Sequence, residues 1–185
     1  ASRVITGITY NGVACTQHTG AAQLILDAIP QYDGVDIWYM KEANLPSTGA
    51  YDVVITTTNF VRQTAGIISF TGVDQTTPLG TSGTNSSSTA NTTITAGACS
   101  NTTNDIVVGV ATVSDAASAA NTSSGNTQRW ETNFTVFGEG VSLGSTAAGS
   151  GSNITPTWTQ ASGTNSGWAA SAATVTAAAA GGKPY

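Results

Sequence analysis

The side chains that most often perform catalysis are sparse in this chain. His18 is the only histidine, so a serine-histidine-aspartate triad would have to be built around it, and no G-x-S-x-G sequence is present to expose a nucleophilic serine. Glycoside hydrolysis requires two opposed carboxylates, and the spacing of Asp74, Glu131 and Glu139 selects no pair among them. Asp74 fits a hydrogen-bonded turn at least as well. We therefore predict no catalytic residues and no enzymatic activity.

Cys15 and Cys99 are the two cysteines of the chain. In a sequence this rich in Ser, Thr and Asn, two cysteines favour one disulfide formed in an oxidising compartment. The alternative is a pair of buried free thiols. A zinc site is disfavoured because two cysteines and one distant histidine do not close a tetrahedral shell.

The densest acidic stretch contains Asp33 and Asp36, with Asp27 nearby in the sequence. Calcium binds several oxygen ligands from a loop, so Asp33 and Asp36 form a weak candidate calcium site. Their spacing does not match an EF-hand loop, and solvated turn carboxylates account for them equally well. Beyond this calcium candidate we predict no metal site and no cofactor.

Tryptophan offers a broad apolar ring on which a sugar can stack. The candidate sugar-stacking residues are Trp38, Trp130, Trp158 and Trp168. The alternative is that these side chains anchor the core and the loops, which is their more common role in a domain of this size.

Six N-x-S/T triplets make the chain a candidate glycoprotein. They begin at Asn85, Asn91, Asn101, Asn121, Asn133 and Asn153. Part of this number is expected by chance, because Ser and Thr are so abundant.

The charge content excludes several classes of partner. Only 8% of the 185 residues are charged, against about 25% in an average protein, and the net charge is −5. The five basic residues are scattered, so neither nucleic acid nor an anionic membrane surface is an expected partner. No apolar run reaches the roughly 20 residues that cross a bilayer, which predicts no membrane insertion. We interpret residues 1–185 as a single domain.

Short apolar runs separated by turn residues predict an all-β fold, an antiparallel β-sandwich of jelly-roll or immunoglobulin-like type with about ten short strands. Asn11-Gly12 predicts a type I′ hairpin between Ile5–Tyr10 and Val13–Thr16. Residues 21–29 have helical spacing and predict at most one short helix. Three tracts rich in Ser, Thr, Asn, Gly and Ala predict long loops for display or binding. These tracts are residues 81–91, 114–126 and 144–153.

The predicted strands between these features follow the apolar runs. They cover residues 35–41, 51–57, 65–70, 92–96, 106–113, 127–137, 154–160 and 168–176. Residues 71–80, with Gly72, Pro78 and Gly80, predict a structured turn.

Several segments resemble a secreted β-sandwich module found in bacterial and phage-associated proteins of mostly unknown role. The most specific is SFTGVDQTTPLG at residues 69–80, accompanied by residues 8–13, 37–40 and 51–55. The resemblance implies no catalytic residues. Such modules usually begin with a strand before the Asn-Gly hairpin, whereas this chain begins at the hairpin, which suggests that another copy supplies a donor strand. The alternatives are that the module tolerates the shorter start or that another segment of this chain fills the place.

Together these features predict an extracellular structural protein, located at a cell or virion surface. It would be a subunit of a filament, coat or appendage that forms by self-assembly as a homo-oligomer or polymer. The alternative is a carbohydrate-binding or adhesion module, with a carbohydrate as the partner.

Overall fold

The computed structural model describes residues 5–26, 32–58, 63–114, 120–122, 126–134, 140–160 and 167–179. Within these ranges it contains β-strands and two short 3-10 turns, at Thr19–Ala21 and Glu42–Asn44. The strands are β1 (Ile5–Tyr10), β2 (Val13–Ala14), β3 (Thr16–Gln17), β4 (Gln23–Leu26), β5 (Tyr32–Val35), β6 (Trp38–Tyr39), β7 (Val53–Thr57), β8 (Leu79–Ser87), β9 (Thr93–Thr95), β10 (Ile106–Ser114), β11 (Ala120–Thr122), β12 (Thr127–Phe134), β13 (Gly140–Ala148), β14 (Thr157–Gln160) and β15 (Gly167–Val175). The all-β prediction is confirmed.

The largest sheet, which we call the central sheet, has five antiparallel strands in the order β12-β13-β10-β15-β8. A second sheet, in the order β11-β14-β9, packs on one face of it. The core between them contains Ile94 and Trp158 from the second sheet and Val107, Leu143 and Trp168 from the central sheet, all at most 4% exposed. The two sheets therefore form a β-sandwich.

The other face of the central sheet is covered by the hairpin of β4 and β5, which contacts β10 and β15. Val35 of this hairpin is buried, and the side-chain amide of Gln23 donates to Ser86 Oγ at 2.9 Å. Central strands thus have protein on both faces. As a result, every residue of β15 is buried, and so is every residue of β13 except Ala148.

Residues 71–78 form a turn that holds a later part of the chain. The Asp74 carboxylate accepts the N–H groups of Thr76 and Thr77 at 2.7 and 3.1 Å, as expected for an aspartate in a turn. Val73 pairs with Ala177 as an isolated bridge, and Asp74 N–H donates to the carbonyl of Thr176 at 2.9 Å. This segment therefore ties the residues that follow β15 to the start of β8.

Several predictions of local structure are wrong. Residues 23–26, placed in a helix by their spacing, form β4, because their pairing with β5 outweighs the local pattern. Residues 65–70 contain no strand, and the predicted strand at 35–41 is divided between β5 and β6.

The loop prediction for the polar tracts is wrong for part of their described residues, while residues 88–91 and 149–153 do lie outside the strands. Residues 81–87 belong to β8, residues 120–122 form β11, and residues 144–148 belong to the buried strand β13. Small side chains suit residues 144–147 because a sheet covered on both faces leaves little volume above each residue.

Within the described residues, no helix is long and apolar enough to cross a membrane.

Candidate functional site

A third sheet, formed by β2, β1 and β7 and called here the amino-terminal sheet, differs from the sandwich in that none of its residues is buried. Its hairpin turns at Asn11 and Gly12, whose φ angles of 51° and 73° are those of a type I′ turn, so this prediction is confirmed. Its three strands contain no charged residue and no proline.

One face of the amino-terminal sheet is apolar. Strand register places six large apolar side chains on it: Ile5, Ile8, Tyr10, Val13, Val53 and Ile55. Tyr51 packs edge-on against Tyr10, with ring centroids 5.9 Å apart, and its hydroxyl donates to the carbonyl of Thr48 at 2.6 Å. This loop contact covers only part of the face, since Val13 remains 39% exposed.

The opposite face carries small and β-branched residues, with Val54 at its centre. Val54 lies opposite Thr9 of β1, and its side chain is 53% exposed. Beside it a shallow groove of ≈ 350 Å³ runs towards the hairpin turn. The groove is lined by Thr9, Asn11, Gly12, Ala50, Tyr51, Asp52 and Val54.

Hydrogen bonds within the sheet fix the direction of the backbone groups of β7. The carbonyl of Asp52 accepts the N–H of Asn11, and the carbonyl of Ile8 accepts the N–H of Cys15 on the side of β2. Because backbone groups of an antiparallel strand alternate in direction, Ile55, opposite Ile8, must point its N–H and C=O away from β1. Val53 points the same way.

The outer edge of β7 is open over these residues. Within the part of the chain that the structure describes, no hydrogen bond is made to the backbone N–H or C=O groups of Val53 and Ile55 on that side. An open edge of Val and Ile residues without charge or proline is a template for pairing with another strand. The irregularity in the pairing of β1 with β7 lies beyond these residues, between Ile5 and Gly7.

Both edges of the central sheet are protected, in contrast. At β8 the hydroxyl of Thr81 donates to the carbonyl of Ser100 at 2.8 Å, and Gly83 packs against the backbone of Gly97, so a loop packs along this strand. At β12 the edge strand carries Arg129, whose Nε donates to Thr146 Oγ1 at 2.7 Å, and Glu131. Charged residues and side-chain caps are recognised protections of sheet edges.

The candidate catalytic side chains that the structure describes make separate contacts within the protein. Burial lowers the pKa of His18, and its hydrogen bond to Gly80 opposes this shift. Asp74 caps its turn, Glu131 accepts the side-chain amide of Gln128 at 2.7 Å, and Glu139 lies outside the described residues.

The predicted disulfide is not formed. Cys15 lies between β2 and β3 beside the amino-terminal sheet, whereas Cys99 lies in the core of the sandwich, and both are free thiols. Burial raises the pKa of Cys99 to about 11 and also raises the pKa of Cys15.

The tryptophans do not form a sugar-binding platform. Trp158 is fully buried against Gly109, and Trp168 is 4% exposed, so the sugar-stacking prediction is wrong for both. The half-buried ring of Trp130 packs against Gly66 and Gly144. Trp38 is half-buried in β6.

In the candidate calcium site, the one described carboxylate is engaged with another side chain. Asp36 accepts the side-chain amide of Gln17 at 2.8 Å, and the side chain of Asp33 lies outside the description. The described residues contain no group of three or more His, Cys, Asp or Glu side chains that could hold a metal ion.

The candidate glycosylation sites differ in how their amides are used. The Asn101 side chain donates to the carbonyls of Cys99 and Ser152 and accepts the N–H groups of Ser150 and Gly151. A glycan on Asn101 would break these hydrogen bonds, which hold the loop after β13. The exposed candidates are Asn85, Asn91, Asn133 and Asn153, and the side chain of Asn121 is not described.

No family model matches this chain, and no curated protein or solved structure matches it either.

Sequence reasoning expected an unfilled strand position ahead of the hairpin. In the structure β1 has a partner on each side, β2 and β7, so β1 itself offers no place for a donor strand, and β7 is an edge strand of the sheet. The available signal was the uncharged run Val53-Val54-Ile55, but its status as an edge depends on the pairing of the whole sheet.

Proposed function

We propose that this chain is a non-catalytic, extracellular structural protein whose copies assemble by strand pairing into a surface filament, coat or virion appendage. The observation that carries the proposal is the amino-terminal sheet, which combines an apolar face, an uncharged composition and the open edge of β7. A row of backbone groups without partners forms hydrogen bonds when a further strand is added.

The location of the exposed apolar side chains supports this proposal. The large hydrophobic residues that remain most exposed are Val13, Leu45, Tyr51, Val54 and Ile67. Val13 and Val54 belong to the amino-terminal sheet, and Tyr51 packs against it. Val13 lies on the apolar face and Val54 on the opposite face, so the exposed apolar residues belong to one small sheet without forming a single patch. Their concentration in this sheet favours an interaction surface there.

The low charge of the chain supports close packing of copies. With 8% charged residues and a net charge of −5, long-range repulsion between copies is weak. A carbohydrate-binding or adhesion module is the weaker proposal, because two of the four candidate rings lie in the core.

Sedimentation velocity over a hundredfold range of protein concentration, followed by electron microscopy of the most concentrated sample, tests the proposal. We expect the average mass to rise with concentration. Because the contact joins backbone and apolar groups, association should persist from about 0.05 to 1 M salt, where the Debye length falls from above 10 Å to about 3 Å. A monomer of constant mass at every concentration would refute the proposal.

A further inference from the structure

We infer that β7 pairs antiparallel with β7 of a second copy of this chain, across a two-fold axis that passes through Val54. This inference rests on the proposed function and specifies its contact: which edge is used, in which register and by which partner. In the resulting pair, the amino-terminal sheets of two copies become one continuous sheet in the order β2-β1-β7-β7-β1-β2.

The register follows from the outward backbone groups. Val53 and Ile55 each direct an N–H and a C=O away from β1. An antiparallel strand centred on Val54 brings Val53 of one copy opposite Ile55 of the other, and such a pair exchanges both of its hydrogen bonds. The two symmetric pairs therefore satisfy the outward groups of Val53 and Ile55 in both copies.

The side chains favour the same axis. Val54 would face its own counterpart, at the closely spaced position of an antiparallel ladder, where side chains contact most strongly. It is 53% exposed in the single chain, so it has apolar surface to bury. Ile55 lies on the opposite, apolar face, which would continue without interruption from one copy into the next.

A second copy fits this edge better than an unrelated peptide. The strand carries no charge and the two-fold register brings no like charges together, since Asp52 of one copy lies opposite Thr56 of the other. Each copy also presents the same outward N–H and C=O groups, so the β7 edge of one copy can hydrogen-bond to the β7 edge of the other. A two-fold contact closes on itself, so it joins copies in pairs, and a longer assembly needs an additional contact.

Two lysine substitutions on the same face of β7 test the edge and its register. Val54→Lys places two ammonium groups directly opposite each other at the axis, whereas Thr56→Lys places each new ammonium opposite Asp52 of the second copy. Thr56 is exposed and lies opposite Gly7, which has no side chain, so a longer side chain has room there. The Thr6 hydroxyl donates to the backbone carbonyl of Thr56 at 3.2 Å, and the substitution keeps that carbonyl.

Analytical ultracentrifugation measures the dissociation constant of the pair, and thermal unfolding confirms that each variant is folded. We expect Val54→Lys to raise the dissociation constant at least tenfold and Thr56→Lys to change it less than threefold. Should Val54→Lys disturb folding, Val53→Pro replaces it, because proline removes the outward N–H of Val53 and no bond to β1. Val53→Pro should also weaken pairing at least tenfold.

The outcomes separate this inference from the proposed function. If the unmodified chain associates and Val54→Lys and Val53→Pro associate equally well, the β7 contact is wrong while assembly of copies stands. If Thr56→Lys weakens association as much as Val54→Lys, the axis at Val54 is wrong. If the unmodified chain does not associate at any concentration, the contact and the proposed function both fail.

Discussion

The central sheet and the amino-terminal sheet reverse the usual relation between side-chain size and burial. Strands β13 and β15 consist largely of Gly, Ala, Ser and Thr, yet nearly all of their residues are buried. Strands β1 and β7 are rich in Ile, Val and Tyr, yet none of their residues is buried. Burial in this protein is therefore decided by the number of layers above a strand, and small residues occur where two layers press on the same sheet.

The glycines of the central sheet show how this packing works. A Cβ on Gly109 would lie 2.9 Å from Pro156 and 3.0 Å from the ring of Trp158, and a Cβ on Gly144 would overlap the ring of Trp130. Gly7 of the amino-terminal sheet has nothing within 4 Å of the equivalent position. In the central sheet, glycine thus leaves the volume that a tryptophan ring occupies. In the amino-terminal sheet, the space beside Gly7 is empty.

Loss of a core ring should produce the largest difference between the two regions. Trp158→Ala removes a fully buried side chain from the sandwich, and we expect the free energy of unfolding to fall by about 3–5 kcal/mol. Tyr51→Ala removes a 38% exposed ring beside the amino-terminal sheet and should cost about 0.5–1.5 kcal/mol. Urea unfolding followed by circular dichroism measures both, and equal losses would contradict the contrast.

Addition of one methyl group should sharpen the comparison. Gly144→Ala forces a side chain into the ring of Trp130, so we expect a loss of about 1–3 kcal/mol in the free energy of unfolding. Gly7→Ala fills empty space at a glycine without positive φ and should leave stability unchanged or raise it by about 0.4–1 kcal/mol. Both variants are compared by urea unfolding. A tolerated Gly144→Ala would mean that the central sheet is less tightly packed than described.

The two cysteines distinguish the regions without any mutation. Cys99 is fully buried, and burial raises its pKa to about 11, so its thiol should not react with an alkylating reagent near neutral pH. Cys15 is only partly buried and should react slowly. Mass spectrometry should therefore find one adduct on the native protein and two in urea. An unreactive protein that gains two adducts only after reduction would instead restore the predicted disulfide.

Local signals in the sequence predicted the parts of the fold that depend on nearest neighbours. Asn11-Gly12 predicted the hairpin because few other pairs adopt positive φ at both positions, and the short apolar run at residues 106–113 predicted β10. Residues 144–148 were missed because their Ser, Thr, Gly and Ala composition is shared by loops and by strands that are covered on both faces. The role of Asp74 was predicted correctly because a turn is also a local structure.

The amino-acid sequence by itself determined that this chain is weakly charged and has a single histidine, and it predicted the all-β fold. Only the tertiary structure decided that a Gly-Ala-Ser strand is buried, that both thiols are free, and that β7 is an edge strand. The physical reason is that propensity and charge are properties of a residue and its neighbours along the chain. Burial and edge exposure are instead properties of the strands that pair with it and the layers that cover it.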